Sequence, residues 1–408
     1  MKCQKTNTKY RKKERGIMKL TFVHDGPLFY DKDGNYYEFA YHELLERYSY
    51  LADDISFMMR TKPISGDRKF TPVPKAVKVI SVPNFKSPKT YFNLKKEAEK
   101  IVEQQIKKSD IVVLRSQSSI AQLSLPYIHK YNKPYIIESV GCSWDSYWNH
   151  GLLGKIVAPY MYIKTKKAIG EARYVYYVTT EFLQRRYPTK GKTICCSNVV
   201  LDKLDEHTLE KRQKKIEAFN PKRKLILGTA AALDTRYKGQ EYVIRALKSL
   251  TEAGYNVEYR LAGGMTGSKP NSFLADLAKN QGVSDKVVFC GSLASDQMAA
   301  YYDALDIYVQ PSKQEGLPRA VIEAMSRGCP VIGTRIAGIP ELVQKELLFK
   351  KGSTEELVKA LNRALKADLN RIAEENFNKA KEYEKNKLIE KRERFYDEFL
   401  SDIQNCKE

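Results

Sequence analysis

The sequence is poor in the features that build metal sites, disulfides and membrane spans. Its 408 residues contain seven cysteines, an odd number without a Cys-x-x-Cys pair, so neither a zinc site nor a disulfide framework is expected. No apolar run approaches the roughly 20 residues that cross a bilayer. The first 17 residues hold no apolar segment typical of a secretory signal. We therefore expect a cytoplasmic protein with reduced thiols.

The chain is too long for one ordinary core, and its patterning predicts two α/β domains. Short β-rich runs alternate with helical patterns, which favours two Rossmann-like domains with parallel sheets and a cleft between them. A first strand is expected at Lys19–His24, followed by a loop, and a helix near 36–60. Met18 opens that strand and is a candidate initiator; the alternative is that the basic leader belongs to the protein and is disordered. The predicted parts are a basic appendage (residues 1–17), an N-terminal domain (18–200), a linker (201–220), a C-terminal domain (221–375) and a C-terminal helix (376–408).

Positive charge is concentrated in the first half of the chain. The formal net charge is +21, of which residues 18–200 carry +11 and residues 201–375 only +4. Such a surface suits nucleic acid, an anionic membrane or a phosphorylated substrate. The segment Lys155–Lys167 mixes aromatic, aliphatic and cationic residues as interfacial segments do. A core helix with a basic solvent face has the same composition.

The most informative stretch is Pro311–Met325, which follows a predicted strand at Ile307–Val309. Pro318 suits the first position of a helix, and Gly328 suits the position just beyond its end. The pattern therefore predicts a strand that enters a loop, and a loop that opens a helix.

The start of the predicted helix indicates an anion site, and the spacing of two glutamates indicates the size of the ligand. Backbone N–H groups of Gly316 and Leu317 at a helix start would suit a diphosphate. Glu315 and Glu323 are separated by on the order of 10 Å along a helix axis. That separation is too large for a shared metal, but it suits the two ends of one extended ligand.

From Glu315 to Glu323 the stretch resembles the E-x7-E motif of the retaining family-4 glycosyltransferases. The flanking residues fit as well: Gly316, Ala324, Met325, Gly328–Thr334 and Gly338–Glu341. The resemblance implies the two-domain GT-B fold, whose C-terminal helix packs back on the first domain, and sugar transfer from a nucleotide diphosphate with retention. It also implies that Glu315 contacts the donor sugar and Glu323 the ribose. The alternative is a pair of surface carboxylates on a solvated helix.

A second match is Lys238-Gly239, which resembles the family's Lys-Gly element, where the lysine pairs with the donor diphosphate. A lysine charge beside a phosphate site is physically reasonable, and an exposed turn lysine is the alternative. The family's usual arginine, five or six residues upstream, is replaced by Leu233 and Ala232. Either Arg236 supplies that charge or the site holds one cation fewer.

The first half matches the family more loosely. Relatives often carry a glycine-rich loop after the first strand that approaches the donor phosphates, and here only Gly26 is available. Many relatives also have a catalytic-site histidine where this chain has Val140 and Gly141. The candidates to replace it are Glu138, Asp145 and His150. Asp145 lies between the two tryptophans of the chain, an arrangement suited to sugar binding, although those tryptophans equally suit a loop anchored to the core.

These features predict an enzyme whose residues 18–200 bind the acceptor and whose residues 221–375 bind the nucleotide sugar, expected to be a UDP-sugar. No carboxylate pair has metal-ligand spacing in the matching region, so neither a metal nor another cofactor is expected. The expected acceptor is a glycan or lipid-linked intermediate of surface polysaccharide assembly, with the protein peripheral at the inner face of the membrane. Two other interpretations are a catalytically silent sugar-binding relative and a basic nucleic-acid-binding protein, for which no recognised motif is found.

Overall fold

The computed structural model describes residues 17–38, 42–64, 71–86, 91–149, 151–220, 223–264 and 272–405. Within these residues the chain forms two largely parallel sheets, each with its own hydrophobic core. The predicted α/β fold class, with two Rossmann-like domains, is confirmed. Two expectations fall on other residues: the appendage at 1–17, apart from its last residue, and a role for His150.

The first sheet comes from the N-terminal half of the chain. Its strands are β1 (Lys19–Tyr30), β2 (Tyr36–Glu38), β3 (Asp54–Pro63), β4 (Thr71–Pro72), β5 (Val77–Ser81), β6 (Ile111–Arg115), β7 (Tyr135–Ser139), β8 (Tyr174–Tyr177) and β9 (Lys192–Cys195). Parallel pairing runs in the order β5-β3-β1-β6-β7-β8-β9, while β2 pairs antiparallel with both β1 and β4. The helices of this half are α1 (His42–Tyr48), α2 (Tyr91–Lys108), α3 (Ser119–Lys130), α4 (Ser143–Trp148), α5 (Gly151–Glu171) and α6 (Phe182–Arg186).

The central strands of this sheet are apolar without alternation because helices cover both faces. All five residues of β6 are buried, and β6 pairs with β1 from Leu20↔Ile111 to Val23↔Leu114. On its other side β6 pairs with β7. The carboxyl ends of β6 and β7 therefore lie side by side, and the polar residues that follow them share one edge of the sheet.

The second sheet is entirely parallel in the order β12-β11-β10-β13-β14-β15. Its strands are β10 (Leu225–Ala230), β11 (Val257–Ala262), β12 (Val287–Gly291), β13 (Ile307–Gln310), β14 (Val331–Thr334) and β15 (Leu348–Phe349). Its helices are α7 (Glu206–Glu217), α8 (Gln240–Glu252), α9 (Ser272–Asn280), α10 (Ser295–Ala304), α11 (Arg319–Ser326), α12 (Thr354–Lys366) and α13 (Leu369–Ala380). Single 3-10 turns lie at Arg236–Lys238, Ser284–Lys286, Ile339–Glu341, Lys345–Leu347 and Lys381–Tyr383.

The last helix, α14 (Lys385–Asn405), returns to the first domain. Its apolar face joins the first core through six buried side chains: Leu388, Phe395, Tyr396, Phe399, Leu400 and Ile403. The chain thus crosses between domains twice, and the two crossings are hydrogen-bonded to each other. Leu201 donates its N–H to the Tyr383 carbonyl at 2.9 Å and accepts from Lys385 N–H at 2.8 Å.

Two local predictions in the first half are wrong. The helix expected near 36–60 is a strand, a short helix and a second strand, because Leu44, Tyr48, Leu51 and Ile55 have helical spacing by coincidence. Ile55 belongs to β3, which is buried between β1 and β5. The loop expected after the first strand is likewise absent among the described residues, because β1 continues to Tyr30 through a register shift between His24 and Leu28.

The segment expected to be a polar linker, residues 201–220, contains helix α7. This helix is held by Arg212, whose buried guanidinium donates to the carbonyls of Leu305 at 2.6 Å, Tyr302 at 2.8 Å and Arg327 at 3.1 Å. These carbonyls belong to the ends of α10 and α11, where a cation compensates unpaired C=O groups. The charged segment therefore folds against the second domain because its arginine pairs with the free carbonyl groups at the ends of two other helices.

Glu341 joins the two domains. Although it belongs to the second domain, one of its carboxylate oxygens accepts from the N–H of Thr180 at 2.6 Å and from its hydroxyl at 2.7 Å. The other accepts from the N–H of Phe182 at 2.8 Å and of Glu181 at 3.2 Å. A carboxylate of the second domain thus caps the first turn of α6 in the first.

Glu341→Ala should remove this interdomain cap. We expect the free energy of unfolding to fall by about 1 kcal/mol, the usual value of a lost N-terminal cap, and the radius of gyration to rise as the domains separate. Urea unfolding and small-angle scattering measure the two effects. Glu346→Ala, which removes an exposed glutamate paired only loosely with Arg371, is the matched control. Unchanged stability and dimensions in Glu341→Ala would contradict the proposed role.

Candidate active site

The centre of the site is the loop Pro311–Pro318, called the donor loop below, which connects β13 to α11. The helix begins at Arg319, one residue later than predicted, and Gly328 follows its end with a φ of 58°. Glu315 lies in the loop and Glu323 in the helix. The strand–loop–helix arrangement expected from the sequence is therefore present.

Glu315 is held by three hydrogen-bond donors on one carboxylate oxygen. Its Oε1 accepts from Lys238 Nζ at 2.7 Å, Ser312 Oγ at 2.7 Å and Gln310 Nε2 at 3.0 Å. The Glu315 side chain is only 10% exposed, so these donors replace the water that a carboxylate otherwise requires. Tyr308 extends the network, because its hydroxyl donates to Gln310 at 2.8 Å. Sequence analysis missed Gln310 and Ser312, although both lie within five residues of Glu315.

Lys238 reaches Glu315 because two loops touch. Lys238 ends the 3-10 turn that precedes α8, and Gly239 follows with a φ of 75°. A Cβ at Gly239 would lie 2.1 Å from the Pro311 carbonyl oxygen, so only glycine allows this approach. Lys313 N–H donates to the Tyr237 carbonyl at 2.7 Å and ties the same two loops together.

Arg236 lies on the same turn as Lys238 but makes a different contact. Its guanidinium carbon lies 3.5 Å from the ring centroid of Phe273, in a cation–π arrangement. Assignment of Arg236 to the diphosphate remains a prediction that would require this side chain to leave the ring.

Glu323 lies on α11, more than one helical turn after the donor loop, and its side chain is 28% exposed. Its Oε2 accepts from the Tyr302 hydroxyl at 2.8 Å, and Oε1 lies 4.0 Å from Arg319 Nη1. Burial raises the pKa of Glu323, and the Tyr302 hydrogen bond and the Arg319 charge oppose that increase only in part. A desolvated carboxylate of this kind is a strong acceptor for paired hydroxyl groups such as those of a ribose.

The donor loop also touches the first domain. A Cβ at Gly316 would lie 2.4 Å from the Val140 carbonyl oxygen, just beyond β7, and Gly338 donates its N–H to the Gly316 carbonyl at 2.9 Å. Asn149 closes the same contact, because its amide donates to Gln314 Oε1 at 2.9 Å. Leu317 packs against the cores of both domains.

Asp145 lies in the first turn of α4, the helix whose Asn149 contacts the donor loop, and is partly buried. The rings of Trp144 and Trp148 are stacked, with centroids 5.2 Å apart. Trp144 packs on the first core, whereas Trp148 is 40% exposed. The pair therefore anchors α4 to the core through Trp144 and exposes the Trp148 ring, while sugar binding at Asp145 remains a prediction.

Glu138 does not replace the missing histidine. It is 1% exposed and is bound by Arg115 Nη2 at 3.0 Å and the Tyr48 hydroxyl at 2.8 Å, with Arg47 at 3.6 Å. Burial alone would raise the pKa of Glu138, but the two arginines outweigh it and the pKa is lowered. The carboxylate therefore neutralises buried cations in the interior.

Gly26 lies within β1 at the register shift between His24 and Leu28, and its contact with the donor phosphates remains a prediction. The carboxylate of its neighbour Asp25 lies at the N-terminal end of α3. The Asp25 carboxylate accepts from the N–H groups of Ser119 at 2.8 Å and Ile120 at 2.9 Å, at the start of α3. Lys86 Nζ lies 2.5 Å away. Burial would raise the pKa of Asp25, but the Lys86 charge and these hydrogen bonds hold it well below its usual range.

The part of the chain that the structure describes contains no group of three or more His, Cys, Asp or Glu side chains placed to hold a metal ion. The cation that contacts Glu315 is the ammonium group of Lys238.

Comparison with known proteins identifies the class. A model of the family described as glycosyl transferases group 1 matches residues 210–387. Protein CapJ of Staphylococcus aureus is 32% identical over 354 residues, which cover 85% of this chain and 86% of CapJ. The chain therefore belongs to the group 1 glycosyltransferases, a retaining family of enzymes.

Solved structures have the same fold over nearly the whole chain. Sucrose-phosphate synthase from Thermosynechococcus elongatus has a TM-score of 0.66 at 16% identity, covering 94% of this chain and 99% of its own. HepE of Anabaena in complex with UDP-glucose has a TM-score of 0.63 at 17% identity, and the match covers 94% of this chain and 100% of HepE. WaaG, a glycosyltransferase involved in lipopolysaccharide biosynthesis, has a TM-score of 0.59 at 19% identity, and the match covers 93% of this chain and 99% of WaaG. At these identities the likeness establishes the GT-B fold.

Gly316→Ala should disturb the contact between the donor loop and β7. The added methyl would meet the Val140 carbonyl oxygen, and such overpacking costs about 1–3 kcal/mol. Both tryptophans lie on the adjoining α4, so intrinsic fluorescence should shift as Trp148 changes its environment. Gly170→Ala, whose Cβ would meet no atom closer than 3.7 Å, is the control. Emission and thermal stability equal to wild type in Gly316→Ala would show that the contact is not required.

Proposed function

We propose that this enzyme transfers a hexose from a UDP-sugar to a glycan or lipid-linked acceptor in surface polysaccharide assembly. The observation that carries the proposal is the Glu315 carboxylate, which is bound to Lys238 at the donor loop, with Glu323 further along α11. The UDP donor is supported by HepE, whose solved complexes contain UDP and UDP-glucose. The polysaccharide context is supported by WaaG and its role in lipopolysaccharide biosynthesis.

Each group has a role that follows from its charge. Transfer breaks the bond between the anomeric carbon and the diphosphate oxygen and forms one to an acceptor hydroxyl, whose proton is released. Negative charge collects on the departing diphosphate, and the Lys238 ammonium stabilises it there. An ammonium has three N–H donors, so Lys238 can contact a phosphate oxygen while it remains bonded to Glu315. Glu315 then accepts from a donor-sugar hydroxyl, and Glu323 accepts from the ribose.

The two domains divide the substrates between them. We assign nucleotide-sugar binding to residues 221–375, which contain the donor loop, and acceptor binding to residues 18–200. In the second domain, Gly316 and Leu317 would offer backbone N–H groups to the diphosphate. In the first, Asp145 and the exposed Trp148 ring, three residues apart on α4, would offer a sugar a polar and an apolar contact.

Replacement of the site carboxylates should separate catalysis from binding. Glu315→Gln should lower transfer by at least about 100-fold, the usual cost of losing a charged group in the transition state, and leave UDP binding intact. Glu323→Ala should mainly weaken UDP binding, and Lys238→Ala should lower turnover. UDP release from a panel of UDP-sugars and thermal shift with UDP measure these effects. A ligand at 100 times its Kd adds about 2.7 kcal/mol of stability, which makes binding easy to detect.

The panel also tests the choice of nucleotide. GDP, ADP and CMP, with their sugars, are the comparison ligands. Stabilisation by one of these and not by UDP would contradict the proposed donor, and wild-type transfer by Glu315→Gln at low donor concentration would contradict the role of Glu315.

We propose in addition that helix α5 docks on an anionic membrane surface, where a lipid-linked acceptor is found. Its solvent side exposes five large apolar side chains as well as lysines: Leu152, Leu153, Ile156, Tyr160 and Ile163 are 80%, 72%, 74%, 57% and 64% exposed. Their spacing places them on one side of the helix. Contiguous apolar surface of this kind marks an interaction site, and the lysines of the Lys155–Lys167 segment suit anionic lipid. No helix among the described residues is long and apolar enough to cross a bilayer.

Membrane binding should depend on these lysines and on salt. The full chain should sediment with anionic vesicles at low ionic strength and should not bind neutral vesicles. Near 0.5 M NaCl, where the Debye length is about 4 Å, it should dissociate from the anionic vesicles. The variant with Lys164, Lys166 and Lys167 replaced by glutamate should lose binding and retain UDP affinity. Replacement of Lys248, Lys279 and Lys350 by glutamate makes the same change in net charge on the second domain. Equal loss in both variants would contradict docking through α5.

A further inference from the structure

Gln117 has a backbone conformation that glutamine rarely adopts. It lies between the end of β6 and Ser118, the residue that caps α3, and its φ is 73°. Positive φ is uncommon outside glycine, asparagine and aspartate, and it costs on the order of 1–3 kcal/mol where the surroundings enforce it. Neither the Ser118 cap nor the turn into α3 needs a glutamine side chain. A glycine would meet the same backbone requirement without strain.

The Gln117 side chain is also unusual. Its amide nitrogen is buried and has no hydrogen-bond partner among the residues that the structure describes. The same holds for two neighbours at this edge of the sheet, Ser116 Oγ after β6 and Ser139 Oγ at the end of β7. A buried amide without a partner is costly, so the Gln117 amide is a candidate donor to a ligand.

The position of this amide connects it to the donor loop. A Cβ at Gly141 would lie 2.6 Å from Gln117 Nε2, so Gly141 leaves the space that the amide fills. Gly141 in turn lies against the donor loop, because a Cβ at Gly316 would be 3.6 Å from the Gly141 Cα. The amide therefore lies beside the contact between the domains, next to the residue that follows Glu315. Val140 and Gly141 are also the positions where the sequence lacks the expected histidine.

We propose that the Gln117 amide donates a hydrogen bond to a hydroxyl of the transferred sugar. This inference rests on the proposed UDP-sugar donor. Glu315 is acceptor-only when ionised, whereas the glutamine amide nitrogen is a donor, so the two groups would contact hydroxyls of one sugar in complementary ways. Gln117 is then a sugar-specificity residue, supplied by the first domain and brought to the donor when the two domains meet.

The test compares UDP with UDP-sugars in the absence of acceptor. Gln117→Gly removes the amide and relieves the positive φ, and Gln117→Met keeps most of the side-chain volume, adds no charge and removes the donor. Titration calorimetry should give an unchanged Kd for UDP in both variants. The Kd for the UDP-sugar that wild type binds best, among UDP-glucose, UDP-galactose and their N-acetylamino forms, should rise about tenfold, as for one lost hydrogen bond to a ligand. Gln117→Gly should melt no lower than wild type.

Asn132→Gly is the matched control, since Asn132 also has a positive φ of 45° but lies in the turn after α3, away from the site. Asn132→Gly should change neither the Kd for UDP nor the Kd for the UDP-sugar. A UDP-sugar Kd in Gln117→Gly equal to that of wild type would overturn the assignment, as would an equal loss of UDP affinity, which indicates an effect through the fold. Wild type that binds UDP but no UDP-sugar would overturn both this inference and the proposed donor.

Discussion

Contact between backbone atoms at the donor loop is the constraint on which the site depends. The loop is pressed against Gly239 on one side and against the end of β7 on the other, and in both places a Cβ would overlap a carbonyl oxygen. Gly338 completes the arrangement by bonding to the Gly316 carbonyl. Because each approach requires glycine, the positions of Glu315 and Lys238 follow from main-chain packing and not from side-chain flexibility.

This packing also explains the electrostatics of the site. Glu315 is nearly removed from water, so its charge depends on Lys238, Ser312 and Gln310. Removal of one partner would leave a desolvated ion, which is far more costly than the net value of the pair. Asp25 repeats the principle in the first domain, where it is held by Lys86 and the start of α3. Each domain therefore contributes one preorganised carboxylate next to a lysine.

Sequence alone predicted the second domain better than the first, for physical reasons. The strands Leu225–Ala230 and Val257–Ala262 were predicted to the residue, because buried parallel strands are continuous apolar runs with clear ends. β3 was missed because its apolar residues continue the helical spacing of α1. Gln310, Ser312 and Gln117 had no signal of their own, since their roles arise only when strand ends converge in three dimensions. Lys238 and Glu315 are assigned to the site by resemblance to family motifs, and in the structure their side chains are in contact.

The paired crossings between the domains have a mechanical consequence. Leu201 exchanges two main-chain hydrogen bonds with the Tyr383–Lys385 segment, and Glu384 Oε1 accepts from Leu204 N–H at 3.0 Å, so the two crossings form a single isolated bridge. Two crossings that are bonded to each other restrict the relative placement of the domains more than one free linker would. The Gly316 contact and the Glu341 cap join the domains at two further places. The geometry of the donor loop is therefore tied to main-chain contacts in both halves of the chain.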